Sequence, residues 1–411
     1  MTTEFIIEAL VKIAILIGGL MTAAAYLVLL ERWMAAWVQD RLGPNRVGIP
    51  LTKIRLFGLG QPLADGLKFI FKEEITPHHV DKVLYTVAPI VILATALAIF
   101  AAVPFGSVLP ADAGIPGVDH QIDLVVAPQL DVALIYIFAL SSIAVYGVIL
   151  GGWASNSKYS FLGGLRSSAQ LIAYELPLGL GILGVVLFSG SLRLETIIGE
   201  QAKSGVWNIL WQPIGFVVFL VASFAESARL PFDLPEAEQE LVGGYHTEYA
   251  GMRLLMFLIA EFLHMVTASF LIVMLYFGGW HLWGLTGSDN NVTWVTAILR
   301  ILVLMTKILL VILFFMLARW SWPRFRFDQL MNLSWKVMLP LGVVNLVLVA
   351  ALVEAAGHSL DTGARWLLMG LMWIAAVIAF AVAGTYAPLH TDNRPKWPND
   401  GRMAFPVRPV Q

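Results

Sequence analysis

The chain has 411 residues; 58% are hydrophobic, 13% are charged, and the formal net charge is −2. Soluble globular domains are about 45–50% apolar and about 25% charged, so a water-soluble fold of this composition would expose large apolar patches, and a disordered chain needs far lower hydrophobicity. What remains is an all-α polytopic membrane protein, and the slight acidity argues against a nucleic-acid partner, which needs a basic face.

A hydrocarbon core about 30 Å thick takes about 20 apolar helical residues. Nine segments qualify: 5–30, 83–103, 130–150, 169–188, 211–228, 254–278, 295–318, 337–353 and 366–386. The alternating polar and apolar strands of a membrane barrel are absent from the sequence. The first segment lacks the basic leader and small-residue cleavage site of a signal peptide, so a retained first span is expected.

After that span, QPLADGLKFIFKEE (61–74) opens with Pro62 where a first helical turn accepts it. Leu63, Leu67, Ile70 and Phe71 share one face, and Asp65, Lys68 and Lys72 lie opposite. This spacing predicts a short amphipathic helix along the interface. The stretch 106–129 contains acids but no Lys or Arg, and the Pro-rich tail, 387–411, is expected to extend over a partner or the surface. Residues 1–386 read as a single membrane domain.

Nine spans place the termini on opposite sides. Of the 26 Lys and Arg, 20 lie in segments 31–82, 151–168, 229–253 and 319–336 and in the tail. Only Arg193, Lys203 and Arg365 lie on the other side, and Lys12, Arg300 and Lys307 fall within spans. The positive-inside rule makes the richly basic side cytoplasmic, with the N-terminus outside and the C-terminus inside. There is no cysteine, the usual ligand of iron–sulfur clusters and of structural zinc. Any metal electron carriers are therefore expected on other chains.

Ionisable residues inside spans are expensive and usually functional. Lys12 and Arg300 lie near the outer surface and are expected to snorkel. Lys307 sits mid-span, roughly 18 Å from either surface, which predicts a buried polar pathway or an ion pair. Glu175, Glu226 and Glu261 come from three spans at one depth near the cytoplasmic side, a layer able to share protons. His264, one turn beyond Glu261, is either a packed core histidine or a relay member. Pro177 is expected to bend its helix and open backbone carbonyls to the pathway.

The most polar stretch is ESARLPFDLPEAEQELVGGYHTEYAGM (226–252). It sets Glu226, Asp233, Glu236, Glu238, Glu240 and Glu248 against Arg229 and Arg253, with Pro231, Pro235, Gly243 and Gly244 giving fixed shape. Arg229 is expected to hold this loop from between Glu226 and Asp233. The acids lack the spacing of an EF-hand loop, and no metal site is expected.

Five stretches in order resemble one family: ERWMAAWVQDRLGPNRVG (31–48), QPLADGLKFIFKEE, GGWASNSKYSFLGGLRSSAQLIAYE (151–175), the 226–252 loop and WPRFRFDQLMNLSWK (322–336). The family is the H subunit of bacterial respiratory complex I, equivalent to mitochondrial NADH dehydrogenase subunit one. The resemblance runs from Glu31 to about Pro340. It implies a membrane-arm subunit of a NADH:quinone oxidoreductase in the bacterial inner membrane. Such a subunit docks the hydrophilic quinone-module subunits beside small membrane-arm subunits. It forms the mouth and lower wall of a tunnel for ubiquinone or menaquinone and starts a polar path toward the proton-pumping subunits. No complete active site lies on such a chain alone, and no iron–sulfur cluster, flavin or metal is implied.

Carried over residue by residue, Arg32, Arg41 and Asp65 match the tunnel and its loops, with Arg229 and Asp233 in the adjoining acidic loop; Leu67 and Phe71, on the apolar face of the amphipathic helix, are expected to line the same slot. Glu31, Glu175, Glu226, Glu236, Glu238, Glu240, Glu248, Glu261 and Lys307 match the proton or charge path, and Arg319 a charged position ending span seven. Three departures stand out: a longer segment 49–60, Phe262 where tyrosine is common, and a ninth span. The rival readings are the homologous membrane component of a membrane-bound hydrogenase, formate hydrogenlyase or another donor:quinone dehydrogenase, a secondary transporter, and a structural anchor.

Overall fold

The computed structural model describes residues 3–48, 57–110, 121–128, 130–233, 243–286, 292–356 and 362–386. Seven of its helices are long and apolar enough to cross a membrane, and two shorter apolar helices, Pro213–Glu226 and Met369–Thr385, stand where the other two expected spans fall. The fold is all-α apart from one two-stranded antiparallel ribbon, β1 (Val108–Leu109) with β2 (Ile122–Asp123), among the described residues.

α1 (Thr3–Val38) continues two turns past the expected end of the first span, so Glu31 and Arg32 are helical. α2 (Gln61–Phe71) is the expected amphipathic helix, and none of its residues is buried within this chain. It packs on α1 and α9. Arg32 fastens it by an ion pair of 2.6 Å to Asp65, and Gln61 Nε2 donates to the same carboxylate at 3.0 Å.

α3 (Lys82–Ile99) starts on the Asp81 side chain, which accepts the N–H groups of Val83 and Leu84. α4 (Ala133–Ala154) and α5 (Lys158–Ser189) then cross on bare backbone: a Cβ on Gly152 would lie 3.2 Å from Gly164 Cα. The expected 151–168 loop is therefore only a tight turn at 155–157, because glycine lets the two helices meet directly. Pro177 inside α5 leaves the Ala173 carbonyl without its helical donor. That carbonyl accepts from Ser334 Oγ at 2.6 Å. It is thus spent on helix packing rather than opened to a pathway, because a buried carbonyl must find a donor.

α6 (Leu194–Ser204) and α7 (Asn208–Trp211) precede α8 (Pro213–Glu226). At 14 residues, α8 is about 21 Å long, short of a full crossing. The chain leaves helical geometry at Gln212 just before Pro213. Broken helices survive at membrane depth only inside protein. Here Asn345 Oδ1 accepts from Gly215 N at 3.1 Å, Gln212 Nε2 donates to Gly184 O at 3.1 Å, and Trp373 Nε1 donates to Leu210 O at 3.1 Å.

α9 (Gly251–Tyr276) is the central helix: 78% of its apolar stretch is buried, against 22–44% for the other six long helices. α10 (Trp294–Ser321) follows. α11 (Phe327–Asn332), a π-helical stretch (Leu333–Met338) and α12 (Leu339–Ala356) then run almost continuously, and α13 (Thr362–Tyr386) packs on α8 and α12.

Candidate functional site

The three acids of the expected layer line one cavity. Glu175 comes from α5, Glu226 from the last turn of α8 and Glu261 from α9; Ser141, Ser167, Tyr245 and His264 add further polar groups to the wall. The cavity has a volume of about 60 Å³, and a water needs about 10–15 Å³ of such space, so several fit. Two neighbouring serines of α4 orient two of the acids: Ser141 donates to Glu226 and Ser142 to Glu175. Adjacent hydroxyls in an otherwise apolar helix are the sequence signal that could have pointed to this pair. Acids joined through hydroxyls and water can exchange protons over short steps.

Glu261 also faces a second group. Arg229, only 2% exposed, lies in the turn after α8; its Nε is 2.9 Å from Glu261 Oε1, and its Nη1 donates to Glu31 Oε2 at 2.9 Å. Arg319 at the end of α10 pairs with the other oxygen of Glu31. Among the described residues, two guanidiniums and two carboxylates from α1, the α8–α9 connection, α9 and α10 are thus paired at low exposure. Pairing matters because an uncompensated buried charge costs several kcal/mol. The Arg229 guanidinium also lies over the Phe262 ring at 4.3 Å. Phe262 therefore contributes a ring face to this cation.

Arg229 thus makes charge-assisted contacts from the turn to carboxylates of two other helices, Glu31 and Glu261. Asp233 is held by Arg324, whose Nη2 donates to the Asp233 carbonyl at 2.6 Å and lies 3.7 Å from its carboxylate. The turn has a further anchor that composition concealed: buried Gln170 donates to Ala225 O at 3.0 Å and Phe232 O at 2.8 Å. Glu236, Glu238 and Glu240 lie outside the described residues.

Beyond them, Tyr245 and Tyr249 pack into the α4–α5 hairpin. A Cβ on Gly163 would stand 2.6 Å from the Gly244 carbonyl carbon and 2.7 Å from Tyr245 N, so only glycine admits this approach. Glu248 takes part through its backbone, accepting from Tyr85 Oη at 2.6 Å, and the Tyr85 and Tyr249 rings stack at 4.1 Å. Burial pushes the Tyr249 phenol above its ordinary pKa, which keeps it neutral. Glu74 Oε1 accepts from Met252 N at 3.2 Å, supplying an acceptor to the first turn of α9.

The tunnel candidates form the exposed side of the same region. Leu67 and Phe71 on α2 are 45% and 82% exposed, and Arg41 is exposed with its Nε donating to Gln39 Oε1 at 2.9 Å. The apolar face of α2 is left uncovered by this chain. Lys307 does not line the acid cavity; its ammonium binds the carbonyls of Phe277, Gly279 and His281. Arg300 does not snorkel either. It is 1% exposed and its Nε donates to Thr286 O at 3.1 Å, because a folded-back segment brings a buried carbonyl to it.

The family model described as NADH dehydrogenase matches residues 11–350. The NADH-quinone oxidoreductase H subunit 1 of Cytophaga hutchinsonii is 44% identical over 350 residues, covering 85% of this chain and 97% of that protein. The NADH-quinone oxidoreductase H subunit of Flavobacterium johnsoniae is 41% identical over 354 residues, covering 86% and 97%. The NADH-quinone oxidoreductase H subunit 1 of Geobacter metallireducens is 45% identical over 338 residues, covering 82% and 94%. With the cavity acids and the Arg229 cluster all inside the matched range, the chain belongs to the NADH dehydrogenase family, among the H subunits of NADH-quinone oxidoreductases.

Proposed function

We propose that this chain is the membrane-arm subunit of a proton-pumping NADH:quinone oxidoreductase in the bacterial cytoplasmic membrane. It forms the quinone access tunnel and the start of the proton or charge path where the hydrophilic arm docks. The basic loops face the cytoplasm, where hydrophilic quinone-module subunits cover them, and small membrane-arm subunits and lipid cover its flanks. The observation that carries this reading is Arg229, which joins Glu31 on the α2 side to Glu261 on the acid cavity.

Reducing a quinone to a quinol takes up two electrons and two protons. In this reading the isoprenoid tail lies along α1, α2 and α9 against Leu67 and Phe71, with Arg32, Arg41 and Asp65 at the mouth. A charge change near the turn carrying Arg229 and Asp233 alters the balance between Arg229, Glu31 and Glu261. Glu261 then exchanges protons with Glu226 and Glu175 through the cavity. The acids of the loop, Glu236, Glu238, Glu240 and Glu248, complete the path on the cytoplasmic side.

The test is Glu226→Gln and Glu261→Gln, which keep shape and remove the charge change. Each should lower quinone-linked turnover and proton pumping together, by about tenfold, a typical loss for a positioned proton-transfer group being that large or larger. Turnover is expressed per assembled complex. Full coupled turnover in both variants at normal assembly would sink the proton-path reading.

A further inference from the structure

α9 ends at Tyr276, inside the protein, at the end opposite the acid cavity. The last four carbonyls of a helix have no intrahelical donor, and hydrocarbon offers no water in their place. Side chains meet the need here. Gln201 Nε2 donates to Met274 O at 2.9 Å and Asn208 Nδ2 to Leu275 O at 2.9 Å. Lys307 Nζ then donates to Phe277 O at 2.7 Å, Gly279 O at 2.9 Å and His281 O at 2.6 Å.

An ammonium has three N–H donors and no acceptor, so these three carbonyls use it completely. A cation is also favoured at a helix C-terminus, and the Trp207 ring lies 4.9 Å from it. The segment after α9 is folded back tightly. Gly278 and Gly279 have φ of +71° and +54°, and a Cβ on them would lie 2.9 Å from Trp207 and 2.8 Å from Ile198. Trp280, His281 and Thr286 are buried. Arg300 closes the other end of the segment on Thr286 O. Both cations that α10 carries inside the membrane therefore end on backbone carbonyls of residues 277–286, none of which lines the acid cavity.

The geometry points to Lys307 as a positioning residue that caps α9 and fastens segment 277–286 as a seal across the half of the membrane opposite the acid cavity, so that protons entering the cavity do not leave outward through this chain. This rests on the sidedness and proton path proposed above.

The chain contains no cysteine, so Thr286→Cys places a single thiol in the sealed segment, and Val295→Cys on exposed Val295 of α10 serves as control. A membrane-impermeant maleimide is added to the face bearing Val295, and labelling of this chain is read in the assembled complex. With Lys307 or Lys307→Arg, the Thr286→Cys site should stay protected. With Lys307→Met its labelling should rise by at least about tenfold, as expected from losing one or more charge-assisted hydrogen bonds. In proteoliposomes, Lys307→Met should lower protons pumped per electron, and Lys307→Arg should restore the ratio. If Lys307→Met does not assemble, Lys307→Gln, with two donors, is read in the same way.

Unchanged labelling in the assembled Met or Gln variant overturns the seal. So does a Lys307→Arg variant that stays protected but fails to pump, which would make Lys307 a proton carrier. The labelling result stands apart from the proton-path reading, which is decided by the Glu226 and Glu261 variants.

Discussion

Arg229 donates through Nη1 to Glu31 Oε2 at 2.9 Å although 198 residues separate the two. The contact ties the turn after α8 to the first helix, and the same guanidinium reaches Glu261 on the central helix. A buried cation between two carboxylates responds to any charge introduced beside it, because the low local dielectric strengthens each interaction.

Arg229→Met should therefore remove the guanidinium beside Glu261 and leave Glu31 with Arg319. Removing one partner of a buried ion pair costs about 3–5 kcal/mol, and the retained Arg319 pair places the loss toward the lower end. Electron transfer from NADH to an artificial acceptor should be unchanged per assembled complex. Quinone reduction should fall about 10- to 100-fold, the range for a misplaced positioning group. Normal quinone reduction in the assembled variant would count against a coupling role.

The uncovered apolar face of α2 makes a chain-length prediction. Leu67→Gln or Phe71→Gln should weaken the use of long-tailed quinones more than that of short-tailed analogues. Burying an unpaired amide against a tail costs about 1–3 kcal/mol, or about a 5- to 150-fold rise in KM at full expression. Equal effects on both substrates would leave these residues with packing alone.

Gly163→Ala tests the approach of the 243–249 turn to α5. The added Cβ would meet backbone rather than a movable side-chain end, and overpacking of this kind costs about 1–3 kcal/mol. The expected result is less assembled complex and a lower midpoint for its thermal dissociation. Gly179→Ala on the same helix, where a Cβ meets nothing within 4 Å, should be neutral.

Sidedness is open to a direct test. A reporter fused after Tyr386 should be cytoplasmic and one inserted in 106–110 external, following the basic asymmetry. A C-terminal reporter on the outer side would reject the nine-span arrangement.

Much of this architecture was legible from composition and periodicity. Membrane residence, the approximate spans, the amphipathic helix 61–71 and the grouping of Glu175, Glu226 and Glu261 follow from helix rise and bilayer thickness, which act locally along the chain. The pairing of charges was not legible. Arg229 lies near Glu226 and Asp233 in sequence, yet binds Glu31 and Glu261, because the crossing of α1, α9 and α10 decides which carboxylates reach the turn. The same holds for Lys307 and Arg300: a cation within a span can be recognised from the sequence, but the carbonyls that Lys307 and the Arg300 Nε bind reach them only where α9 ends and the chain folds back. Hydropathy reports the cost of burying a charge, while the group that offsets that cost is chosen by packing between helices distant in sequence.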